Sequence, residues 1–157
     1  MNREQKKDYV KKMKDFFTKN ESVLVTHYKG LTVKQIDELR KEMRNENITF
    51  HVTKNKITKL ALDGTKCSKL KDMFSGPTAV AFSEDAIISA KILTNFSKNY
   101  SNLKILGGIM GDEVLNKEDV AKIATLPTLD EARGKIVGIL QGAAKKIISI
   151  LKFVKFL

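Results

Sequence analysis

Apolar residues repeat at two different spacings along this chain, and the alternation between them restricts the fold more than any single motif. SVLVTHY (22–28) is β-rich and reads as a buried strand. ITFHVT (48–53) alternates, with Ile48, Phe50 and Val52 on one side. TAVAF (78–82) and LKILGGI (103–109) are two further strands. Between them lie stretches at helical spacing. Tyr9, Val10, Met13, Phe16 and Phe17 form one stripe, Ile36, Leu39 and Met43 a second, and Ala86, Ile87, Ala90, Leu93 and Phe96 a third. Thr32-x-x-Gln35 and Thr128-x-x-Glu131 have the form of capping boxes and mark two helix starts. A short helix ends at Asp63-Gly64, a helical turn or two ends at Phe74 before Gly76-Pro77, and another helix follows Asn116 through Ile123. Four strands interleaved with helices predict an α+β domain, a small four-stranded sheet with helices stacked on it. The tract from about residue 128 has no evident place in that sheet.

Charge divides the chain differently. The formal net charge is +11, from 29 basic and 18 acidic residues. Residues 1–77 carry 18 basic against 10 acidic, residues 78–131 carry 5 against 8, and residues 132–157 carry 6 basic and no acid. A basic first half fits a polyanionic partner. Surface loading with lysine, which supplies 25 of the 29 basic residues, accounts for the total equally well.

Several classes of function find no support. Cys67 is the only cysteine, which leaves no disulfide and no cysteine-based zinc site and fits a reducing compartment. The N-terminus has no apolar signal core and no segment has the length of an apolar membrane span, so the expected address is the cytosol. His27 and His51 fall on predicted strands, with no nucleophile placed to meet them, and read as structural or surface residues. GGIMG (107–111) is GGxxG rather than GxGxxG, and the Asp112-Glu113 that follows would repel a pyrophosphate, so a turn after a strand is the simpler reading. No phosphate-binding loop or paired-histidine metal spacing occurs. The chain is read as a non-enzyme that takes no cofactor, metal or small-molecule substrate.

Two features of the basic half point toward phosphate. If Thr53 caps a short helix, Lys54, Asn55 and Lys56 fill its first turn, with Lys59 further along. Acids rather than lysines are favoured at such an end, so an anion from outside would complete it, although a solvated basic face accounts for it too. Arg40 and Arg44, two of only four arginines, sit at i, i+4 on one helix face. Their planar forks can grip phosphate in bidentate fashion, and pairing of Asp37 with Arg40 or Lys41 is the local alternative. Lys29-Gly30 adds a basic loop able to approach a backbone closely. With no aromatic ladder among these residues, contact with a folded RNA surface fits better than base stacking.

The sequence ends KKIISILKFVKFL (145–157). Placed on a helix, Ile147, Ile148, Ile150, Leu151, Phe153, Val154, Phe156 and Leu157 leave only a narrow polar stripe at Lys145, Ser149 and Lys152. So much apolar surface requires a cover. The domain itself, a partner's groove or an anionic membrane could each supply it.

YKGLTVKQIDELRKEM (28–43), VTKNKITKLALDGT (52–65), FSGPTAVAFS (74–83), GGIMGDEV (107–114) and LPTLDEARGKIVGILQ (126–141) occur in one order. Together they resemble the family of bacterial large-subunit ribosomal protein ten, the base of the ribosomal stalk, over residues 1 to about 151. The resemblance implies a ferredoxin-like α+β domain over 1–131 that binds large-subunit rRNA beside ribosomal protein eleven. A connecting helix or hinge over 132–142 and a protruding amphipathic helix over 143–157 would follow. That helix would bind dimers of the acidic stalk protein (the seven/twelve pair) and so support recruitment of translation factors. Lys29, Gly30, Arg40, Arg44, Lys54, Asn55, Lys56 and Lys59 are the residues expected at rRNA. Ile147, Ile148, Ile150, Leu151, Phe153 and Val154 are expected at the stalk dimers. Family members commonly continue with further apolar segments, so one binding segment, around 143–152, is expected to be intact and a second, around 153–157, shortened. The competing reading is a basic nucleic-acid-binding regulator whose amphipathic tail docks on a membrane surface.

Overall fold

A computed structural model of the chain describes residues 2–154, with side chains described through Gly142 apart from Arg3. The chain divides into two compact units, Met1–Thr125 and Leu126–Leu157. In the first, the elements run α1 (Arg3–Lys19), β1 (Ser22–His27), α2 (Val33–Asn45), β2 (Thr49–Val52) and α3 (Asn55–Leu62). A 3-10 stretch (Lys66–Met73) follows, then β3 (Thr78–Ser83), α4 (Ala86–Asn99), β4 (Lys104–Met110), β5 (Glu113–Asn116) and α5 (Lys117–Thr125). The second unit contains α6 (Leu129–Val154).

The strands form one sheet in the order β2-β3-β1-β4-β5, with every neighbouring pair antiparallel. The sequence reading of four strands is therefore corrected to five among the described residues. The added strand is short and pairs with β4 through a two-residue loop, Gly111-Asp112, between the matched residues Met110 and Glu113. Gly111 has φ +62°, and glycine is the residue that such hairpin loops favour at their first position.

Why β1 reads as an unbroken apolar run is clear from its place at the sheet's centre. Leu24 faces one apolar layer with Leu39 and Met43 of α2, Leu93 and Phe96 of α4 and Val120 of α5. Val23 and Val25 face the opposite layer with Met13 and Phe17 of α1, Ala61 and Leu62 of α3, and Leu70 and Phe74. Side chains alternate along a strand, so a strand covered on both faces needs apolar residues at consecutive positions. Cys67 belongs to the second layer, where burial pushes its thiol up to about 11, outweighing the opposite pull of Lys66.

Both anticipated capping boxes form. Thr32 N donates to Gln35 Oε1 (2.9 Å) and Gln35 N to Thr32 Oγ1 (3.4 Å). Thr128 N donates to Glu131 Oε2 (3.1 Å) and Glu131 N to Thr128 Oγ1 (3.3 Å). Each pair satisfies two N–H groups that a helix start leaves without intrahelical partners.

LKILGGI (103–109) forms a strand as read, and the turn expected at GGIMG is confined to its last glycine. Gly107 and Gly108 lie inside β4, and only Gly111 is in the turn. The β1–β4 register shifts between Val25 and Thr26, opposite Gly107 and Ile105, which is a bulge. At Gly108 a Cβ would stand 2.4 Å from the Val23 carbonyl oxygen, so the strands approach as closely as they do because no side chain intervenes. No helix among the described residues is long and apolar enough to cross a membrane.

Candidate nucleic-acid interface

Four chain segments meet at one end of the sheet: the exit of β1, the exit of β2, the entry to β3 and the entry to β4. Their loops are tied together by side chains. The Asn102 amide donates to the Gly30 carbonyl (2.8 Å), and a Cβ on Gly30 would stand 3.3 Å from Asn102 Cγ. Gly30 has φ +91°, so this tight turn behind Lys29 suits glycine for backbone as well as space. His27 Nε2 lies 2.7 Å from the Ser75 carbonyl, which can only accept, so the ring carries its proton on Nε2.

Asn55 holds the other flank of the same loop. Its amide nitrogen donates to the Gly76 carbonyl (2.7 Å), and its oxygen accepts from Thr78 Oγ1. Thr53 is buried and donates from Oγ1 to the Thr78 carbonyl (3.3 Å). This corrects the expectation that Thr53 caps α3. Lys54 occupies the cap position, no side chain caps the helix, and no acid lies in its first turn. Both polar atoms of the Asn55 side chain are engaged within the protein, which makes it a positioning residue. Asn55→Ala is expected to cost about 2 kcal/mol through the two lost hydrogen bonds, read as a lower denaturation midpoint with an unchanged urea m-value.

Lys29, Lys54 and Lys56 are exposed around this braced end, while Lys59 is half-buried in the last turn of α3. A cation at a helix C-terminus is favoured by the helix dipole, which gives Lys59 a local reason to be there. The structure thus gathers Lys29, Gly30, Lys54 and Asn55 at one end of the sheet.

Arg40 and Arg44 are set apart from that cluster. They line a hollow of about 420 Å³ with Ile48, Thr49, Phe50 and His51, between α2 and the edge strand β2. Arg40 pairs with Asp37 at 3.5 Å; Arg40 is partly exposed and Asp37 well exposed, so the pair holds Arg40 only loosely. Arg44 is exposed and has no acidic partner among the described residues. His51, which the sequence placed outward on its strand, is exposed there and completes the hollow. Partial desolvation of the ring, which lies against Phe16, and the nearby Arg40 charge both hold its imidazole below the ordinary histidine range and favour its neutral form. Sequence reasoning passed over His51 because its link to Arg40 depends on how β2 packs on α2. The four residues of β2, about 13 Å of extended chain, connect this hollow to the lysine cluster.

Ile147, Ile148, Ile150, Leu151, Phe153 and Val154 fall within the helical span of α6, and their side chains lie outside the described residues. Upstream on the same helix, Leu129, Ile136, Val137, Ile139 and Leu140 are exposed. The sequence reading places Leu129 at the end of the globular domain and residues 132–142 in a connecting helix or hinge. An apolar surface on α6 therefore begins well before residue 143.

Comparison with known proteins gives a consistent result. The sequence model of the family described as Ribosomal protein L10 matches residues 1–98. The large ribosomal subunit protein uL10 of Pelagibacter ubique is 58% identical over 151 residues, 96% of this chain and 91% of that protein. The proteins of the same name from Beijerinckia indica and Rhodospirillum rubrum are each 44% identical, covering 94% and 96% of this chain and 86% and 87% of their own lengths. On the family match and these near full-length relatives, the chain belongs to the ribosomal protein L10 family, structural proteins of the large ribosomal subunit.

Proposed function

We propose that this protein forms the base of the large-subunit stalk in the bacterial cytoplasm, joining rRNA to acidic partner dimers. Its first unit binds large-subunit rRNA beside ribosomal protein eleven. The C-terminal helix collects dimers of the seven/twelve type, which recruit translation factors. Within the sheet, β2-β3-β1-β4 with α2 and α4 as crossovers is the ferredoxin-like core, and β5 is an addition at its edge.

The observation that carries the RNA half is the braced sheet end. Lys29, Lys54 and Lys56 surround two loops, Ser75-Gly76 held by His27 and Asn55 and the Gly30 turn held by Asn102, and the α3 N-terminus there lacks an acid. Cations on a braced backbone beside a helix N-terminus favour phosphate, and contacts of that kind position RNA rather than read its bases. Arg40, Arg44 and Lys59 extend the basic surface.

A salt titration of binding to a large-subunit rRNA fragment tests this reading. The log–log slope is expected to fall by about 0.7 to 0.9 in magnitude for each phosphate contact removed, in Lys29→Ala and in Arg44→Ala. Arg44→Lys should keep the slope and lose affinity, because the bidentate fork is gone but the charge remains. His51 provides an internal reporter. A phosphate bound in its hollow should raise its pKa, so RNA binding would be coupled to proton uptake. An unchanged slope in an Arg40→Ala/Arg44→Ala double variant would remove the arginine hollow from the interface.

A further inference from the structure

We propose that a lysine-rimmed hollow between α1 and α3 receives an acidic amphipathic helix from another protein. The hollow, about 510 Å³, has Val10, Ile57 and Leu60 as its floor. Lys6, Lys7, Lys11 and Lys14 form its rim. None of the eight residues assigned to RNA lines it, and Lys56 and Lys59 neighbour its Ile57 and Leu60 along α3.

Three observations define the occupant. The first is the exposure of Leu60, at 61%, whereas Ala61 and Leu62 beside it on α3 are fully buried, so the leucine faces outward over the hollow rather than into the core. The second is charge. No acidic residue lines the hollow, and none of its four lysines is ion-paired among the described residues. Glu4, Asp8 and Asp15 are on the same helix but stay out of the lining. Lys7 and Lys11 are spaced i, i+4 and Lys11 and Lys14 i, i+3, so the lysines repel one another along one flank. A partner carrying carboxylates would relieve that repulsion.

The third observation is the apolar floor itself. RNA backbone has nothing apolar to lay on it, and no aromatic ring lines the hollow for a base to stack on. An interfacial helix lays a continuous apolar face into a bilayer, whereas this patch holds three apolar side chains, of which only Leu60 is well exposed. A helix with aliphatic anchors on one face and carboxylates on its flanks satisfies both the floor and the rim.

The probe is a fluorescent synthetic peptide of about 18 residues, with leucines at i, i+3, i+4 and i+7 and glutamates elsewhere, titrated against the full chain by anisotropy. Leu60→Asp and Lys7→Glu/Lys11→Glu should each weaken binding by about tenfold or more, as loss of a central anchor or of rim charge does at such interfaces. Both changes are at exposed positions, so far-UV dichroism and Tm should match the parent. Equal affinity in these two variants would overturn the proposal. So would equal binding of a control peptide with serine for leucine. Binding that survives Leu60→Asp but is lost with Leu151→Asp would assign the peptide to the C-terminal helix and overturn it. Loss of affinity for phosphatidylserine vesicles or for an rRNA fragment in Leu60→Asp, with peptide binding unmoved, would do the same.

Discussion

Cutting the chain after Gly142 is expected to abolish capture of acidic stalk dimers while leaving the salt slope of RNA binding unchanged. The deletion removes all eight large apolar residues of the tail together with Lys145, Lys146, Lys152 and Lys155. Fully burying eight such side chains would contribute roughly 12 to 24 kcal/mol gross, and the costs of association leave only a fraction of that as affinity. Removing the whole set therefore takes binding from measurable to absent. A single change at its centre, Leu151→Asp, should weaken it by about tenfold or more through the cost of burying a carboxylate. The basic residues assigned to RNA all belong to the first unit, so contacts with phosphate should be kept. Pull-down with the acidic stalk protein and RNA titration of the same truncated sample check both halves. Undiminished dimer binding would remove the tail from the interface and shift attention to Ile136, Ile139 and Leu140.

The second large effect is expected in the sheet. Gly108→Ala should destabilise the first unit by about 3 kcal/mol or more, out of a total of about 5 to 15 for a typical domain. The new methyl group would stand 2.4 Å from the Val23 carbonyl oxygen and 2.6 Å from Leu24 Cδ2. The leucine tip could rotate away, but the carbonyl belongs to β1, paired on both sides, and can move only with its strand. For a unit of this size the change corresponds to a Tm lower by about 10 °C. Gly134→Ala is the matched control. Its Cβ meets nothing within 4 Å, so it should favour helix by about 1 kcal/mol. Circular dichroism during heating reads both. An unmoved Tm in Gly108→Ala would contradict the β1–β4 pairing.

These substitutions mark where the sequence was legible and where it was not. β1 could be read because both its faces are covered, which writes burial directly into consecutive residues. The Thr32 and Thr128 boxes could be read because their partners are three residues away. Gly107 and Gly108 fall in the strand read over 103–109, but their role does not show there, because a glycine that allows two strands to approach looks, in one dimension, like a glycine that turns the chain. β5 escaped because EVLN (113–116) is too short and too mixed in polarity to show a period, and becomes a strand only by pairing with β4. The lysines proposed to face phosphate were visible as charge. The role of Asn55 was not, since its partners Gly76 and Thr78 are 21 and 23 residues away in sequence. Thr53 reads as a cap in the sequence for the same reason: its hydroxyl turns inward to a strand that the local sequence does not contain.

The central claim is that the protein joins two partners of opposite character, nucleic acid at one unit and acidic protein at the other. Native mass spectrometry of the full chain mixed with a large-subunit rRNA fragment and the acidic stalk protein tests it most directly. The account predicts one complex containing all three, with stalk protein added in steps of two copies and RNA retained at every step. Stalk protein that displaces the RNA, or that joins only when RNA is absent, would show a single shared surface and contradict it.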